Sequence, residues 1–292
     1  MTLSVIIPAY NAEKTIRSCC ESILRSHDAD LEVILVDDGS TDETPRICDE
    51  IADGDARVKV LHSPNGGPGA ARNRGLGVAT GTWIAFVDAD DRCEDGYFAK
   101  MMDAADADLI IQGQEKHLRY EKADIPRAIA ENALLEKGSP WGKLFRKRLI
   151  VEKGIRFPEN YRYGEDTVFF LRYLGVCENI RCIGECGYWY AGAYWDGLSG
   201  KVHESLDLLH YVSDSQEAVQ PFLGNRDVAH RHNAKCVFYV KRAWNNMYTL
   251  GYDRARRKAV VSCLRACILP HLKFAGLNFR ESLYLILFHL AR

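Results

Sequence analysis

Three carboxylates stand within four positions of the segment FVDADD (86–91): Asp88, Asp90 and Asp91. Carboxylates this close repel one another, so a bound cation is one physical reason for bringing them together. Mg²⁺ and Mn²⁺ are typically held by one or two protein carboxylates, with water and substrate phosphates at the remaining positions. Asp88 and Asp90 would point the same way if strand geometry continued through Ala89. Taken alone, the segment also fits an acidic loop without a function.

A second acidic pair, Asp37 and Asp38, lies in the segment VDDGSTD (36–42). Carboxylates at a strand end have a second use as hydrogen-bond acceptors, for example from a uracil N3–H or from ribose hydroxyls. Capping of the following helix is the alternative use of this segment, and we assign that role to Ser40–Glu43. Capping leaves Asp37 and Asp38 unexplained.

The segment NGGPGAARNRG (65–75) is rich in glycine and arginine. It lacks the Lys-Ser/Thr pair of a P-loop, and its glycine spacing differs from the dinucleotide fingerprint. Backbone amides near Gly67 at the start of a helix, with Arg72 or Arg74 nearby, could face a diphosphate. A plain turn is the alternative interpretation.

Strands and helices alternate through the first 115 residues, which places these segments at the ends of strands. The alternation predicts an α/β fold with a mainly parallel sheet flanked by helices. Ligands of such sheets bind at the carboxyl ends of the strands, so we expect the three segments to form one site. The predicted strands are 3–10, 31–40, 58–62, 82–88 and 108–113, and the predicted helices are 12–26, 41–51 and 70–79.

The second half of the sequence is less regular. The pattern predicts a strand or loop over 141–147, a helix beginning near Glu165, short aromatic strands within 179–195, and helices from 205 onward. We predict a main domain over 1–204, with a nucleotide-binding half over about 1–115 and an acceptor half over about 116–204. A C-terminal helical region follows over 205–292.

Composition excludes some classes of protein. The formal net charge is −2, so no global field would attract nucleic acid. The first residues enter a strand at once, unlike a signal peptide, and no apolar run is long enough to span a bilayer. The ten cysteines are scattered rather than spaced as a disulfide framework, which predicts buried thiols and a cytoplasmic protein. A homodimer is left open.

Several segments together resemble a family 2 glycosyltransferase of the GT-A fold, the nucleotide-diphospho-sugar transferase fold. The resemblance covers residues 3–95 through SVIIPAYNAEKTI, VDDGSTDET, NGGPGAARNRGL and TGTWIAFVDADD, in the family's order. It resumes at PWGKLFRK and RYGEDTVFF, as in enzymes that build bacterial surface polysaccharides. Each segment alone is a weak signal, but the ordered set is specific.

The resemblance implies roles for individual residues. Pro8, Tyr10 and Asp38 correspond to positions that bracket the nucleoside. Asp88-Ala89-Asp90 corresponds to the DXD metal motif, with Asp90 as the direct ligand of Mn²⁺ or Mg²⁺ and Asp88 near the ribose. The resemblance further implies a UDP-sugar donor and an acceptor hydroxyl on a glycan or a lipid-linked glycan.

Glu165 and Asp166 correspond to the region that supplies the catalytic base in this family. Independently, sugar transfer needs a base for the acceptor hydroxyl, and a carboxylate remote in sequence from the metal cluster suits that role. A single displacement by that hydroxyl would invert the anomeric centre. The alternative is that both side chains only favour the helix dipole.

The sequence departs from the family pattern after Trp189, where it runs YWYAGAYWDGLSGKVHES. Trp195 is a candidate for stacking on a sugar, and His203 is a candidate additional metal ligand. A lone histidine and an aromatic residue in a loop are more often structural. Two other functions stay open: a sugar nucleotidyltransferase, and a sugar-nucleotide-binding subunit without activity in a polysaccharide assembly complex.

The segment NFRESLYLILFHLAR (278–292) forms a short apolar stretch between arginines. It is too short to span a bilayer but suits a helix lying in the membrane interface. Packing as ordinary core is the alternative. We expect peripheral attachment to the inner face of the membrane, assisted by basic residues of the preceding segment: Arg254, Arg256, Arg257 and Lys258.

Overall fold

The computed structural model describes residues 2–25, 30–113, 118–131, 134, 138–184, 187–190 and 202–268. Trp195, and the apolar segment 278–292, lie outside the described residues. The chain forms two compact units. The first unit comprises Met1–Asp124, Ser139–Glu159 and Val176–Ala193, and the second comprises Ile125–Gly138, Asn160–Gly175 and Tyr194–Arg292.

The first unit is built on an eight-stranded sheet with the order β3-β2-β1-β4-β8-β6-β9-β7. Strands β1 to β4 are mutually parallel, whereas β8 is antiparallel to both of its neighbours, β4 and β6. A separate ribbon pairs β5 with β10. The strands are β1 Leu3–Ala9, β2 Leu31–Asp37, β3 Val58–His62, β4 Trp83–Phe86, β5 Arg92–Cys93, β6 Leu109–Ile111, β7 Leu118–Glu121, β8 Lys143–Arg146, β9 Asn179–Cys182 and β10 Tyr188–Trp189.

Helices cover both faces of the parallel strands. Alternate residues of β1, such as Val5 and Ile7, pack into one buried cluster with residues of α1 and α2. On the opposite face, a Cβ at Gly75 of α3 would lie 2.5 Å from the Ile6 side chain, so only glycine allows this close contact. The predicted α/β fold is confirmed. The helices of this unit are α1 Ile16–Leu24, α2 Thr44–Gly54, α3 Pro68–Val78, α4 Tyr97–Asp103 and α6 Lys147–Glu152.

The end of β4 and the start of α2 differ in detail from the sequence pattern, which extended the strand to residue 88 and began the helix at residue 41. Strand geometry does not continue through Ala89, because β4 ends at Phe86 and residues 88–91 form a turn closed by the Asp91 N–H and the Asp88 carbonyl oxygen, 3.0 Å apart. At the start of α2, the segment Ser40–Glu43 contributes a side-chain hydrogen bond, which the Thr44 N–H donates to the Asp42 carboxylate over 3.0 Å.

The described residues of the second unit are mainly helical. Its helices are α5 Ile125–Ala130, α7 Glu165–Leu174, α8 Ser205–Ala218, α9 Arg226–Thr249 and α10 Arg254–Cys263, with a 3₁₀ turn over Gln220–Phe222 and a π-helical turn over Leu264–Ile268. The predicted helix near Glu165 is therefore confirmed, and so are the predicted helices between residues 205 and 268. Among the described residues, none of the helices has both the length and the apolar character to cross a membrane. The predicted boundary at 204 stays a prediction.

Candidate active site

The carboxyl ends of β1, β2 and β3 meet at one edge of the sheet. Ala9 is the register partner of Asp37, and Asp37 is the partner of His62. Pro8 lies in β1, half-buried, and Tyr10 follows the strand with its ring largely exposed. The expected nucleoside-bracketing residues therefore stand on neighbouring strands, close to one another.

Asp37 is a buried carboxylate held on both oxygens. The Ser40 N–H donates to its Oδ1 over 3.0 Å, and Nδ1 of His62 lies 3.0 Å from its Oδ2. The second imidazole nitrogen of His62 lies 3.0 Å from Oδ1 of Asp49 on α2. The hydrogen bonds to Asp37 and then to Asp49 raise the pKa of His62. Sequence reasoning missed His62. Its position at the carboxyl end of β3, where ligands of parallel sheets bind, would have indicated that it belongs to the site.

Asp38 joins β2 to the glycine-rich turn. The N–H groups of Gly66 and Gly67 donate to its Oδ1 and Oδ2 over 2.9 and 2.7 Å, and Arg74 donates to Oδ1 over 2.8 Å. Gly67 has a φ of 88°, which favours glycine there, and Pro68 then begins α3. A carboxylate has about four acceptor directions, so these three donors leave capacity for a ligand donor.

Arg72 of α3 is directed at the acidic turn rather than at solvent. Its buried guanidinium forms an ion pair with Oδ1 of Asp88 over 3.0 Å. The guanidinium carbon also lies 5.4 Å from the centre of the Phe157 ring, a cation–π distance. The helix that carries the glycine-rich turn therefore also positions the first carboxylate of FVDADD.

The three carboxylates of FVDADD have three different surroundings. Asp88 is partly buried against Arg72, and Asp90 is exposed at the tip of the turn. Partial desolvation, and after it the charge of Asp88, raises the pKa of Asp90. Asp91 is fully buried and accepts a short hydrogen bond from the Tyr188 hydroxyl.

Aromatic residues that sequence reasoning did not assign to the site lie beside this turn. The ring of Trp141 stacks on that of Tyr188, with centres 5.1 Å apart, and on that of Tyr190, with centres 5.4 Å apart. Burial first, and then the charges of Asp88 and Asp91, raises the pKa of the Tyr188 hydroxyl well above its ordinary value. The quoted segments PWGKLFRK and YWYAGAYW already contained these residues.

The remaining predicted site residues belong to the second unit. Glu165 and Asp166 lie in the first turn of α7, directly after Gly164, which has a left-handed backbone conformation. Glu165 is buried, and Asp166 is half-buried with its Oδ1 held by the N–H of Thr167 over 2.7 Å. Desolvation lowers the pKa of Lys235 on α9, and the Asp166 carboxylate opposes that shift.

His203 is buried in the second unit, with its ring centre 4.3 Å from that of Tyr163. Burial, and then the charge of Arg242, lowers the pKa of His203, which favours the neutral imidazole. Within the described part of the chain, Nε2 of His203 has no hydrogen-bond partner. A neutral imidazole with such an atom is chemically able to ligate a metal, so this role stays a prediction.

The acidic turn fits a divalent ion of the Mg²⁺ or Mn²⁺ type, which needs only one or two protein carboxylates. Asp90 supplies exposed oxygen atoms, and Asp88 stands two residues before it. Among the described residues, no group of three or more His, Cys, Asp or Glu side chains is close enough to hold a metal. Completion of the coordination shell would therefore depend on water and substrate oxygens.

This chain belongs to glycosyl transferase family 2, whose family model matches residues 4–161. It is 35% identical over 281 residues to the uncharacterized glycosyltransferase YibD of Escherichia coli, covering 91% of this chain and 78% of YibD. It is 32% identical over 207 residues to the uncharacterized glycosyltransferase EpsJ of Bacillus subtilis, covering 64% of this chain. The chain spans 60% of the length of EpsJ.

The GT-A fold is confirmed by comparison with solved structures. The structure of residues 1–349 of TarS from Staphylococcus aureus, in complex with UDP, superposes with a TM-score of 0.73 at 20% identity. The superposition covers 99% of this chain and 87% of the TarS chain.

Proposed function

We propose that this protein is an inverting glycosyltransferase that moves a sugar from a UDP-sugar to a hydroxyl of a glycan or lipid-linked glycan during surface polysaccharide synthesis. The observation that carries the proposal is the convergence of Asp37, Asp38 and the acidic turn at the carboxyl edge of one sheet. Ligands of parallel α/β sheets bind at this edge. Membership of the family supports the same reaction class.

Donor binding is assigned to the first unit. Asp38 would accept a hydrogen bond from the nucleoside, between Pro8 and Tyr10, because it retains acceptor capacity after its three intramolecular donors. Asp37, at the same edge of the sheet, would also contribute to the nucleoside site, and His62 holds its carboxylate in place. The UDP bound to TarS, a protein of the same fold, supports a uridine nucleotide here.

Arg72 and Gly67 have different tasks at the diphosphate. The N–H groups of Gly66 and Gly67 already donate to Asp38 and Pro68 has no N–H, so Gly67 would contribute by shaping the turn before α3, whose helix dipole favours an anion. Arg72 orients Asp88 through their ion pair, beside the position assigned to the ribose.

Proteins of this fold commonly use a divalent metal. We assign Mn²⁺ or Mg²⁺ to Asp90 and Asp88. His203 stays a candidate metal ligand because of its sequence position and its neutral imidazole. When bound, the ion neutralises negative charge that develops on the departing diphosphate.

Asp166 is assigned as the general base, with Glu165 beside it in the first turn of α7. Its carboxylate would accept the proton of the acceptor hydroxyl while that oxygen forms the new bond to the anomeric carbon. The bond to the diphosphate breaks on the opposite face, so one displacement inverts the anomeric centre. The Thr167 N–H holds Oδ1 of this carboxylate and thereby fixes its orientation.

A cytoplasmic location with peripheral contact to the inner face of the membrane remains part of the proposal. Arg254, Arg256, Arg257 and Lys258 are exposed on α10, where they are available to anionic lipid headgroups. Flotation of the full chain with anionic liposomes at low salt tests this contact. Recovery of the protein entirely in the soluble fraction would contradict it.

A screen of nucleotide sugars for donor hydrolysis, with and without Mn²⁺, tests the central proposal. We expect hydrolysis of at least one UDP-sugar, dependent on the ion, and a product of inverted anomeric configuration by NMR. Pyrophosphorolysis of the donor to a nucleoside triphosphate would instead indicate a nucleotidyltransferase. Binding of the donor without any turnover would indicate a subunit without catalytic activity.

A further inference from the structure

Trp189 presents an unusually exposed indole beside the acidic turn. Its relative exposure is 63%, whereas tryptophan is on average a highly buried residue. It lies on β10, where its register partner is Arg92 of β5. Tryptophan is enriched at binding interfaces, because its ring packs against apolar groups while its N–H donates a hydrogen bond.

A hydrogen bond to Glu94 holds the indole of Trp189 in place. Its Nε1 donates to Oε1 of Glu94 over 3.0 Å, and the Glu94 N–H donates to the carbonyl oxygen of Gly187 over 2.7 Å. A Cβ at Gly187 would lie 2.5 Å from Oε2 of Glu94, so the carboxylate packs directly on this glycine. Glu94 therefore sets the direction of the ring before any ligand arrives.

The two residues that flank Trp189 in the chain anchor β10. Tyr188 and Tyr190 both stack on Trp141, and the Tyr188 hydroxyl also bonds to the buried Asp91. A preorganised ring loses little conformational entropy on binding, which raises affinity without new contacts.

The exposed indole lines a groove of about 700 Å³, which we call the Trp189 groove. Two of its side chains are cations and two are anions, so the groove has no formal net charge, and Nε of Arg25 lies 3.3 Å from Oδ1 of Asp95. A groove without net charge gives no electrostatic preference for a phosphate. Its lining residues are Arg25, Arg92, Cys93, Glu94, Asp95 and Trp189.

The chemistry of the groove matches a neutral pyranose. Such a ring has an apolar C–H face, which suits the face of an indole, and a rim of hydroxyls that both donate and accept. The carboxylates of Glu94 and Asp95 accept hydrogen bonds, and the guanidinium of Arg92 donates them. The indole of Trp189 supplies the apolar surface of the groove, and its charged side chains supply the hydrogen-bonding groups.

The groove is also continuous in sequence with the proposed site. Arg92 directly follows Asp91, and Trp189 directly follows the tyrosine that binds Asp91. Arg92 and Trp189 are register partners, so the ribbon that begins directly after the acidic turn also carries the indole of the groove.

We infer that the Trp189 groove binds a neutral pyranose unit of the acceptor glycan, at a position other than the sugar whose hydroxyl reacts. This inference rests on the proposed function, because it deepens the assignment of a glycan acceptor. The groove selects acceptors that are longer than one sugar and uncharged at this unit.

The test uses the full chain without nucleotide on an array of neutral and phosphate-bearing oligosaccharides, followed by calorimetry with the strongest neutral ligand. Wild type is expected to bind neutral glycans, and Trp189→Ala is expected to lose about tenfold or more in affinity. Trp189→Phe keeps an aromatic face and should recover most of the binding. Tyr248→Ala removes a ring of similar exposure, 56%, on α9 and should bind as wild type.

Three outcomes would overturn the inference: unchanged affinity of Trp189→Ala, binding of phosphate-bearing glycans alone, or no glycan binding by wild type. Calorimetry with UDP and Mn²⁺ is the folding control, because the Trp189→Ala variant should bind both as wild type does. Donor hydrolysis without acceptor separates the two proposals. A chain that binds glycans through Trp189 but hydrolyses no nucleotide sugar contradicts the transferase and supports the groove.

Discussion

The hydroxyl of Tyr188 donates a short hydrogen bond to the carboxylate of Asp91, a residue 97 positions earlier in the chain. The same hydroxyl lies 3.4 Å from the backbone nitrogen of Asp88. One tyrosine therefore holds both ends of the acidic turn and takes its third carboxylate out of solvent. Of the three carboxylates in this turn, Asp90 is exposed to solvent and Asp88 is partly exposed and paired with Arg72. These two are therefore the ones available to a ligand.

Tyr188→Phe should destabilise the first unit. The variant removes one donor from a buried carboxylate, which costs about 1–3 kcal/mol in the free energy of unfolding. Urea unfolding followed by fluorescence measures the change. Tyr248→Phe, on an exposed ring of α9, is the control and should leave the free energy within about 0.5 kcal/mol of wild type. Equal unfolding curves for Tyr188→Phe and wild type would contradict the role of this hydrogen bond.

Asp90→Ala should abolish sugar transfer and metal-dependent binding of UDP without unfolding the chain. The reason is that Asp90 is the most exposed carboxylate of the acidic turn and the proposed direct ligand. Calorimetric titration of UDP with and without Mn²⁺ measures the loss. Asp103→Ala removes an exposed carboxylate at the end of α4 and is the control for net charge. An unchanged affinity for UDP with Mn²⁺ in Asp90→Ala would rule out the metal assignment.

Asp166→Asn should bind the donor normally but lose turnover by about two to four orders of magnitude, as expected for loss of a general base. The substitution keeps size and hydrogen bonding and removes basicity. Steady-state kinetics with a matched UDP titration separate binding from chemistry. The control is Asp227→Asn, which removes an exposed acidic residue from the first turn of α9. Near wild-type turnover in Asp166→Asn would refute the base assignment.

The two ring nitrogens of His62 bond to the carboxylates of Asp37 and Asp49, and we call this arrangement the His62 clamp. It predicts that the stability of the fold depends on pH. Hydrogen bonds to these carboxylates raise the pKa of His62, so the folded state keeps its proton to higher pH than the unfolded state. The stabilisation is complete below the unfolded pKa of about 6.5 and is lost as pH rises through the higher folded value. The effect is modest, because the His62 side chain is 44% exposed.

Urea unfolding across this pH range measures the effect. Wild type should lose more stability with rising pH than His62→Gln, which cannot carry the proton. His230→Gln, exposed on α9, should keep the wild-type pH dependence. Parallel pH profiles for wild type and His62→Gln would show that the clamp does not hold an additional proton.

The sequence by itself determined the alternation of strands and helices in the first unit. Apolar runs at Leu3–Ala9, Leu31–Asp37 and Val58–His62 have the length and β-branched content of buried strands, and the helices between them have helical spacing. Because parallel strands share a carboxyl edge, this local pattern also predicted that Asp37, Asp38 and the acidic turn would lie together. The start of α7 at Glu165 was predictable for the same local reason.

Only the tertiary structure decided how the acidic residues differ from one another. Burial and hydrogen bonding depend on side chains distant in sequence: Tyr188 for Asp91, Arg72 for Asp88, and His62 for Asp37. The antiparallel insertion of β8 is equally non-local, because strand direction depends on the connection between strands and not on the pattern within one. Asp88, Asp90 and Asp91 have the same chemistry but different environments. Packing, and not residue type, sets the desolvation and the partner charges of each carboxylate.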